Sequence, residues 1–164
     1  MSGAEKAEGS KIRILYYVPQ LHTGGTEVQL FHLVTGLSSR FEASVWCPGP
    51  WGPIGERLVA HRVPVHRFPL ASRNPHTFVA AVQHLRRLKP LIFHSFGYGA
   101  HWLDIVAARL AGIPLRVTSR RNVRHWKGGD RLNLTERIRN QFTDVVVSNL
   151  SLIHISEPTR QAEI

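Results

Sequence analysis

Apolar residues in this chain come in two alternating rhythms. Short, almost continuous apolar runs give way to longer stretches in which apolar positions recur at helical spacing, and the pair repeats along the chain. Ile12–Val18 (IRILYYV) has the pattern of a buried strand. Thr26–Leu37 follows, with Leu30, Leu33, Val34 and Leu37 on one helical face and a capping-box pattern, Thr26 to Gln29, at its start. Glu42–Cys47 is a second strand, and Pro53–His61 a short helix with proline at a favoured first position. Pro64–Phe68 is a third strand, and Pro75–Leu88 a helix built on Phe78, Val82 and Leu85 and stopped by Pro90. Leu91–His94 is a fourth strand, and His101–Ala111 a helix closed by Gly112. Leu115–Ser119, a helix over Arg131–Phe142 and a sixth strand, Asp144–Ser148, complete the series.

Such alternation predicts a parallel sheet covered on both faces by helices, a Rossmann-like, doubly wound α/β domain. Ligands of this class sit beyond the carboxyl ends of the strands, where the strand order reverses. With the usual order that point lies between the first and fourth strands. The loops of interest are then 19–25, 95–99 and the one after the fifth strand.

The size agrees with one domain: 164 residues, 43% apolar, 20% charged. No apolar run approaches the ~20 residues of a membrane-spanning helix. Residues 1–11 carry charges but no apolar core, which predicts a short disordered tail rather than a secretory signal. The single cysteine, Cys47, excludes an internal disulfide; a core position and a reducing, cytoplasmic setting are expected. The net charge of +10 suggests an anionic partner or a generic solubility charge. More than half of it falls between Arg116 and Arg139, where eight basic residues face only Asp130 and Glu136.

The first loop, Pro19 to Glu27 (PQLHTGGTE), places Gly24–Gly25 between a strand and a helix start. Glycines there let a ligand approach the backbone, and a helix start offers free N–H groups to an anion. Neither the dinucleotide fingerprint nor a Walker A loop is present. A plain tight turn reads equally well from this pattern alone.

The stretch from Ile12 to Leu37 resembles the opening of family 4 glycosyltransferases of the GT-B architecture, which carry a P-x-L-x-x-G-G-x-E loop and a helix ending L-x-x-G-L. Pro19, Gly24, Gly25 and Glu27 hold those places. Leu91–His94, then Val106 to Pro114 (VAARLAGIP), are similar to that family's fourth strand, helix and turn. Thr118 to Asn122 with Trp126 resembles an S-R-R loop of one branch, and Asp144–Ser148 resembles D-x-V-V-A-V-S. The resemblance spans about residues 11–149.

It implies that residues 12–149 form the acceptor-side first domain of a retaining, metal-independent enzyme that takes a sugar from a nucleotide-sugar donor. The acceptor could be lipid-linked or a polysaccharide. The donor-binding half with its E-x7-E carboxylates has no counterpart here, so the chain alone is expected to be inactive, and the domain incomplete. No cofactor or metal is expected.

Substrate-binding candidates are Gly24, Gly25, His94, Phe96, Arg120, Arg121 and Asn122. His94 ends a strand at the expected cleft, where an imidazole can bind a sugar hydroxyl or move a proton. It is the one catalytic candidate, although Phe96 stands where the family often has a second histidine. A partly buried strand-end histidine is the plainer alternative. Phe96 and Tyr98 could stack on a sugar, with packing the expected role of at least one. Arg120 and Arg121 suit a phosphate. The basic segment could touch anionic lipid headgroups at the inner face of a membrane, while Arg137 and Arg139 read as a solvated face.

Two further readings stay open: a stand-alone module binding a phosphorylated ligand, and a nonspecific nucleic-acid binder. For the second, no zinc finger or RNA-binding motif accompanies the charge. No H-E-x-x-H or G-x-S-x-G motif appears, and the Asn133–Thr135 sequon matters only on secretion. Residues 150–164 (LSLIHISEPTRQAEI) break the alternation and resemble a translated sequencing adapter. A non-native tail is therefore expected from about residue 150, and no function is assigned to His154, Glu157 or Arg160.

Overall fold

The computed structural model describes residues 11–70, 74–96, 102–120 and 134–148. Six strands form one sheet in which every pairing is parallel. The strands are β1 (Ile12–Tyr17), β2 (Phe41–Trp46), β3 (Val65–His66), β4 (Ile92–Ser95), β5 (Leu115–Arg120) and β6 (Val145–Ser148). Between them run α1 (Gly25–Thr35), α2 (Pro53–Ala60), α3 (Pro75–Leu88), α4 (Leu103–Leu110) and α5 (Leu134–Gln141). The order β3-β2-β1-β4-β5-β6 reverses between β1 and β4, as expected.

The central strands are buried on both faces, so there are two cores. One packs Tyr16, Val18 and Val45 against Leu30, Phe31 and Val34 of α1 and Ile54 and Leu58 of α2. The other packs Leu15, Tyr17, Trp46 and Phe93 against Ala81, Val82 and Leu85 of α3 and Ile105, Ala107 and Ala108 of α4. Burying a large apolar side chain contributes about 1.5–3 kcal/mol. Trp46 anchors the second core: it stacks on Phe68 at 4.3 Å and donates its indole N–H to the Phe68 carbonyl at 2.9 Å.

Several local expectations need correction. Helix α1 starts at Gly25, so Gly24 is the N-cap and Glu27 sits at its third position; the Thr26–Gln29 box is not the helix start. Phe31, not Leu33, joins Leu30 and Val34 in the core, and Leu33 is exposed. The third strand shrinks to Val65–His66, and Pro64 just before it has no N–H to donate to a ladder. The proline at the start of α2, the end of α3 before Pro90 and the left-handed Gly112 (φ 81°) after α4 match expectation. Cys47 is fully buried.

The sheet ends in β6, where Val145, Val146 and Val147 are 44–46% exposed. Among the described residues β6 pairs only with β5. No helix of the described residues is long and apolar enough to cross a membrane.

Candidate functional site

Parallel topology brings the carboxyl ends of β1, β4 and β5 together at the reversal of strand order. In register, Tyr16 of β1 lies opposite His94 of β4, and His94 opposite Val117 of β5. Side chains alternate along a strand, so Ser119, two residues on from Val117, shares the face of His94 and Tyr16. The imidazole Nε2 of His94 lies 2.8 Å from the Ser119 hydroxyl. Its ring centroid is 5.5 Å from Tyr16 and 4.5 Å from Phe96. His94 is thus a half-buried polar group with the Ser119 hydroxyl on its Nε2 and the Tyr16 and Phe96 rings beside it. Burial pushes the Tyr16 phenol up to about 12, so it stays neutral beside the imidazole.

Phe96 is 1% exposed and packs in the first core. Its ring supports His94 from within and offers no face for a sugar to stack on, which corrects its place among the binding residues.

The first loop approaches the same edge. Gly24 is extended, and a Cβ there would meet the carboxylate of Glu27, which folds back over it although Glu27 is itself buried. A Cβ on Gly25 would meet nothing within 4 Å. The start of α1 is therefore open at Gly25 and closed beneath by Glu27. The loop is braced from the side: Leu21 bridges Trp51, the Leu21 N–H donates to the Pro50 carbonyl at 3.2 Å, and a Cβ on Gly49 would collide with the Pro19 carbonyl.

On the opposite face, one residue along, a polar cluster is sealed in. Ser95 of β4 donates to the Asp104 carboxylate at the start of α4. Arg139 of α5 donates to the Ser95 hydroxyl at 2.7 Å and lies 3.9 Å from Asp104. Ser95 and Asp104 are fully buried, and Arg139 is 8% exposed. Burial, with the Asp104 charge nearby, drives the Tyr17 phenol well above its ordinary range. Arg139 is therefore an internal tie between β4, α4 and α5, not part of a solvated face; Arg137 is exposed, as expected. Arg116 is also committed, paired with Asp144 at 2.7 Å.

Arg120 closes β5, which puts its backbone at the carboxyl edge. Arg121, Asn122, Trp126, Tyr98 and residues 149–164 lie outside the described residues. So the structure brings Gly24, Gly25, His94 and the Arg120 backbone to one edge. Sequence reasoning missed Tyr16, Ser119 and the Ser95–Asp104–Arg139 cluster. Strand register is the signal that could have found the first two. Among the described residues, no group of three or more histidine, cysteine or acidic side chains is placed to hold a metal ion.

The profile of Glycosyltransferase Family 4 matches residues 23–153, most of the chain and all of the site just described except β1 and the first half of its loop. The chain belongs to Glycosyltransferase Family 4. No curated protein matches its sequence significantly. Solved structures do match this family 4 domain in fold. MurG of Acinetobacter baumannii is 17% identical with a TM-score of 0.59, over 83% of this chain and 40% of its own. HepE of Anabaena in complex with UDP-glucose is 17% identical with a TM-score of 0.65, over 89% of this chain and 41% of its own. HepE in complex with UDP is 19% identical with a TM-score of 0.60, over 87% and 38%. The family 4 domain thus spans about two fifths of the length of the structures it matches.

Proposed function

We propose that this chain is the acceptor-side domain of a retaining GT-B glycosyltransferase that transfers a sugar from a nucleotide-sugar donor to an acceptor. The observation that carries the reading is the joint position of the open α1 start at Gly25 and the fixed His94–Ser119 pair at the strand-order reversal, within a family 4 match. HepE was solved with UDP-glucose and with UDP, which supports a nucleotide-sugar donor.

In this reading Gly25 lets the acceptor or the donor diphosphate reach the backbone N–H groups of α1, whose dipole favours negative charge. His94, immobilised by Ser119, Tyr16 and Phe96, orients an acceptor hydroxyl. It positions rather than transfers a proton, because the family's second histidine place holds a buried phenylalanine. Arg120, Arg121 and Asn122 extend the site toward a phosphate. The leaving diphosphate is stabilised by helix dipole and basic groups, without a metal. The donor site and the second half of the cleft belong to a further domain, and the enzyme works in the cytoplasm, touching an anionic membrane peripherally.

The test is recovery and expression of the longer reading frame. A second α/β domain with an E-x7-E pattern, and transfer from a nucleotide sugar with retained anomeric configuration, is the expected result. Turnover by the isolated 164-residue chain, or an inverted product, would overturn it. A natural stop near residue 149 would favour a stand-alone phosphate-binding module instead.

A further inference from the structure

In a parallel α/β layer every crossover helix ends where the next strand begins. Helix C-termini and strand starts therefore share one edge, opposite the cleft. Along that edge, in the spatial order of the strands, stand Arg62 before β3, Arg40 before β2, Lys11 and Arg13 at β1, Arg86, Arg87 and Lys89 before β4, and Arg109 before β5. All eight are exposed. They form one continuous row: the Ile12 N–H donates to the Arg40 carbonyl, and the Leu91 N–H to the Arg13 carbonyl. At ~4.8 Å per strand the row is ~19 Å long. Among the described residues, the acids facing it are Glu42, in register with Arg13, and Asp144, which is paired with Arg116.

Complementing helix dipoles accounts for part of this row. It does not account for Lys11, Arg13 and Arg40, which stand at strand starts. Nor does it account for the apolar residues set among the cations. Leu33 near the end of α1, Val59 near the end of α2, Leu91 before β4 and Leu110 at the end of α4 are all exposed, Leu91 and Leu110 about half. Arg86 donates to the carbonyl of one of these leucines, Leu110, and Arg13 is tied across the same edge to the Leu88 carbonyl at the end of α3. A row of cations alone fits any polyanion. Cations with leucines projecting between them fit a surface that is anionic outside and apolar beneath, which a bilayer provides and a nucleic acid does not.

We propose that this amino edge docks on an anionic phospholipid bilayer. The inference rests on the membrane contact proposed above and moves it from the basic segment between Arg116 and Arg139 to this edge. It also fixes an orientation: the cleft lies at the other end of the strands, ~20 Å away, and opens away from the lipid. The acceptor then reaches the cleft from the solvent side.

The test is co-sedimentation of the 164-residue chain with vesicles of phosphatidylcholine, with and without phosphatidylserine, and with random duplex DNA as competitor. Three variants are compared after circular dichroism has shown that they fold: Lys11→Glu/Arg87→Glu/Arg109→Glu, Leu91→Ser/Leu110→Ser, and Arg131→Glu/Arg137→Glu. The expected result is binding that requires phosphatidylserine, falls about tenfold or more in the charge-reversed triple, falls about threefold in the leucine pair, and is unchanged in the Arg131/Arg137 pair. Binding that survives the triple but is lost in the Arg131/Arg137 pair would overturn the proposed edge and leave membrane contact standing. No vesicle binding by the unaltered chain would overturn both. Loss in the triple with no effect of the leucine pair, and equal retention by DNA, would assign the edge to nucleic acid and also overturn it. None of these outcomes depends on sugar transfer.

Discussion

Arg139 is the residue whose environment is least like its chemistry. A guanidinium sealed beside Ser95 and Asp104 has lost its water, and both of these neighbours answer its charge. Removing one partner of such a pair leaves the other charge buried. Arg139→Met should cost about 3–5 kcal/mol in chemical denaturation, and Arg137→Met, at an exposed position, within about 0.5 kcal/mol. Combining Arg139→Met with Asp104→Asn should recover part of the loss. A cost for Arg139→Met equal to that for Arg137→Met would show that the tie is not energetic. Nothing in LTERIRNQ singles out Arg139. Its burial is set by Asp104 on another helix and by the hydroxyl ending β4, and a local pattern contains neither partner. His94 was legible for the opposite reason, since it ends an apolar run and the strand pattern alone places it at the edge. Its partner Ser119 required knowing which strands are neighbours.

At the scale of elements, the start of α1 separates folding from function. Gly25 stands at the first helical position with open space where a side chain would lie. Gly25→Ala should therefore be accepted by the fold and raise stability by about 0.4–1 kcal/mol, because alanine loses less backbone freedom. If ligand approaches the backbone there, the same change in the full-length enzyme should raise KM for donor or acceptor with little effect on folding. Steady-state kinetics beside a thermal melt checks both halves; unchanged KM would reduce Gly25 to a turn residue. Element existence was readable throughout, because the apolar periods of two and 3.6 are strong along this chain. Element boundaries were less so. Thr26 looks like a cap by composition, yet the cap lies two residues earlier, on Gly24, which has no capping side chain and has Glu27 folded back over it. At α3, Asn74 accepts from the His76 N–H, and here residue type and cap agree.

For the whole molecule, the charge distribution changes the meaning of the +10. Along the sequence the excess concentrates between residues 116 and 139. In space, Arg116 is neutralised by Asp144 and Arg139 by Asp104, while residues scattered from Lys11 to Arg109 gather on one edge. A linear count cannot see this, since the parallel topology is what collects strand starts and helix ends together. The cleft was inferable at this scale because the order of strands follows from their spacing and number.

The open side of β6 has a practical consequence for anyone handling the protein. Three consecutive half-exposed valines, on a strand that among the described residues pairs on one side only, form a template for pairing with another copy. Purified chain should self-associate with rising concentration. Val146→Lys, a charge on the outer strand, should raise the monomer fraction in analytical ultracentrifugation while leaving the melting temperature nearly unchanged. A monomer fraction that does not respond to Val146→Lys would place the contact elsewhere.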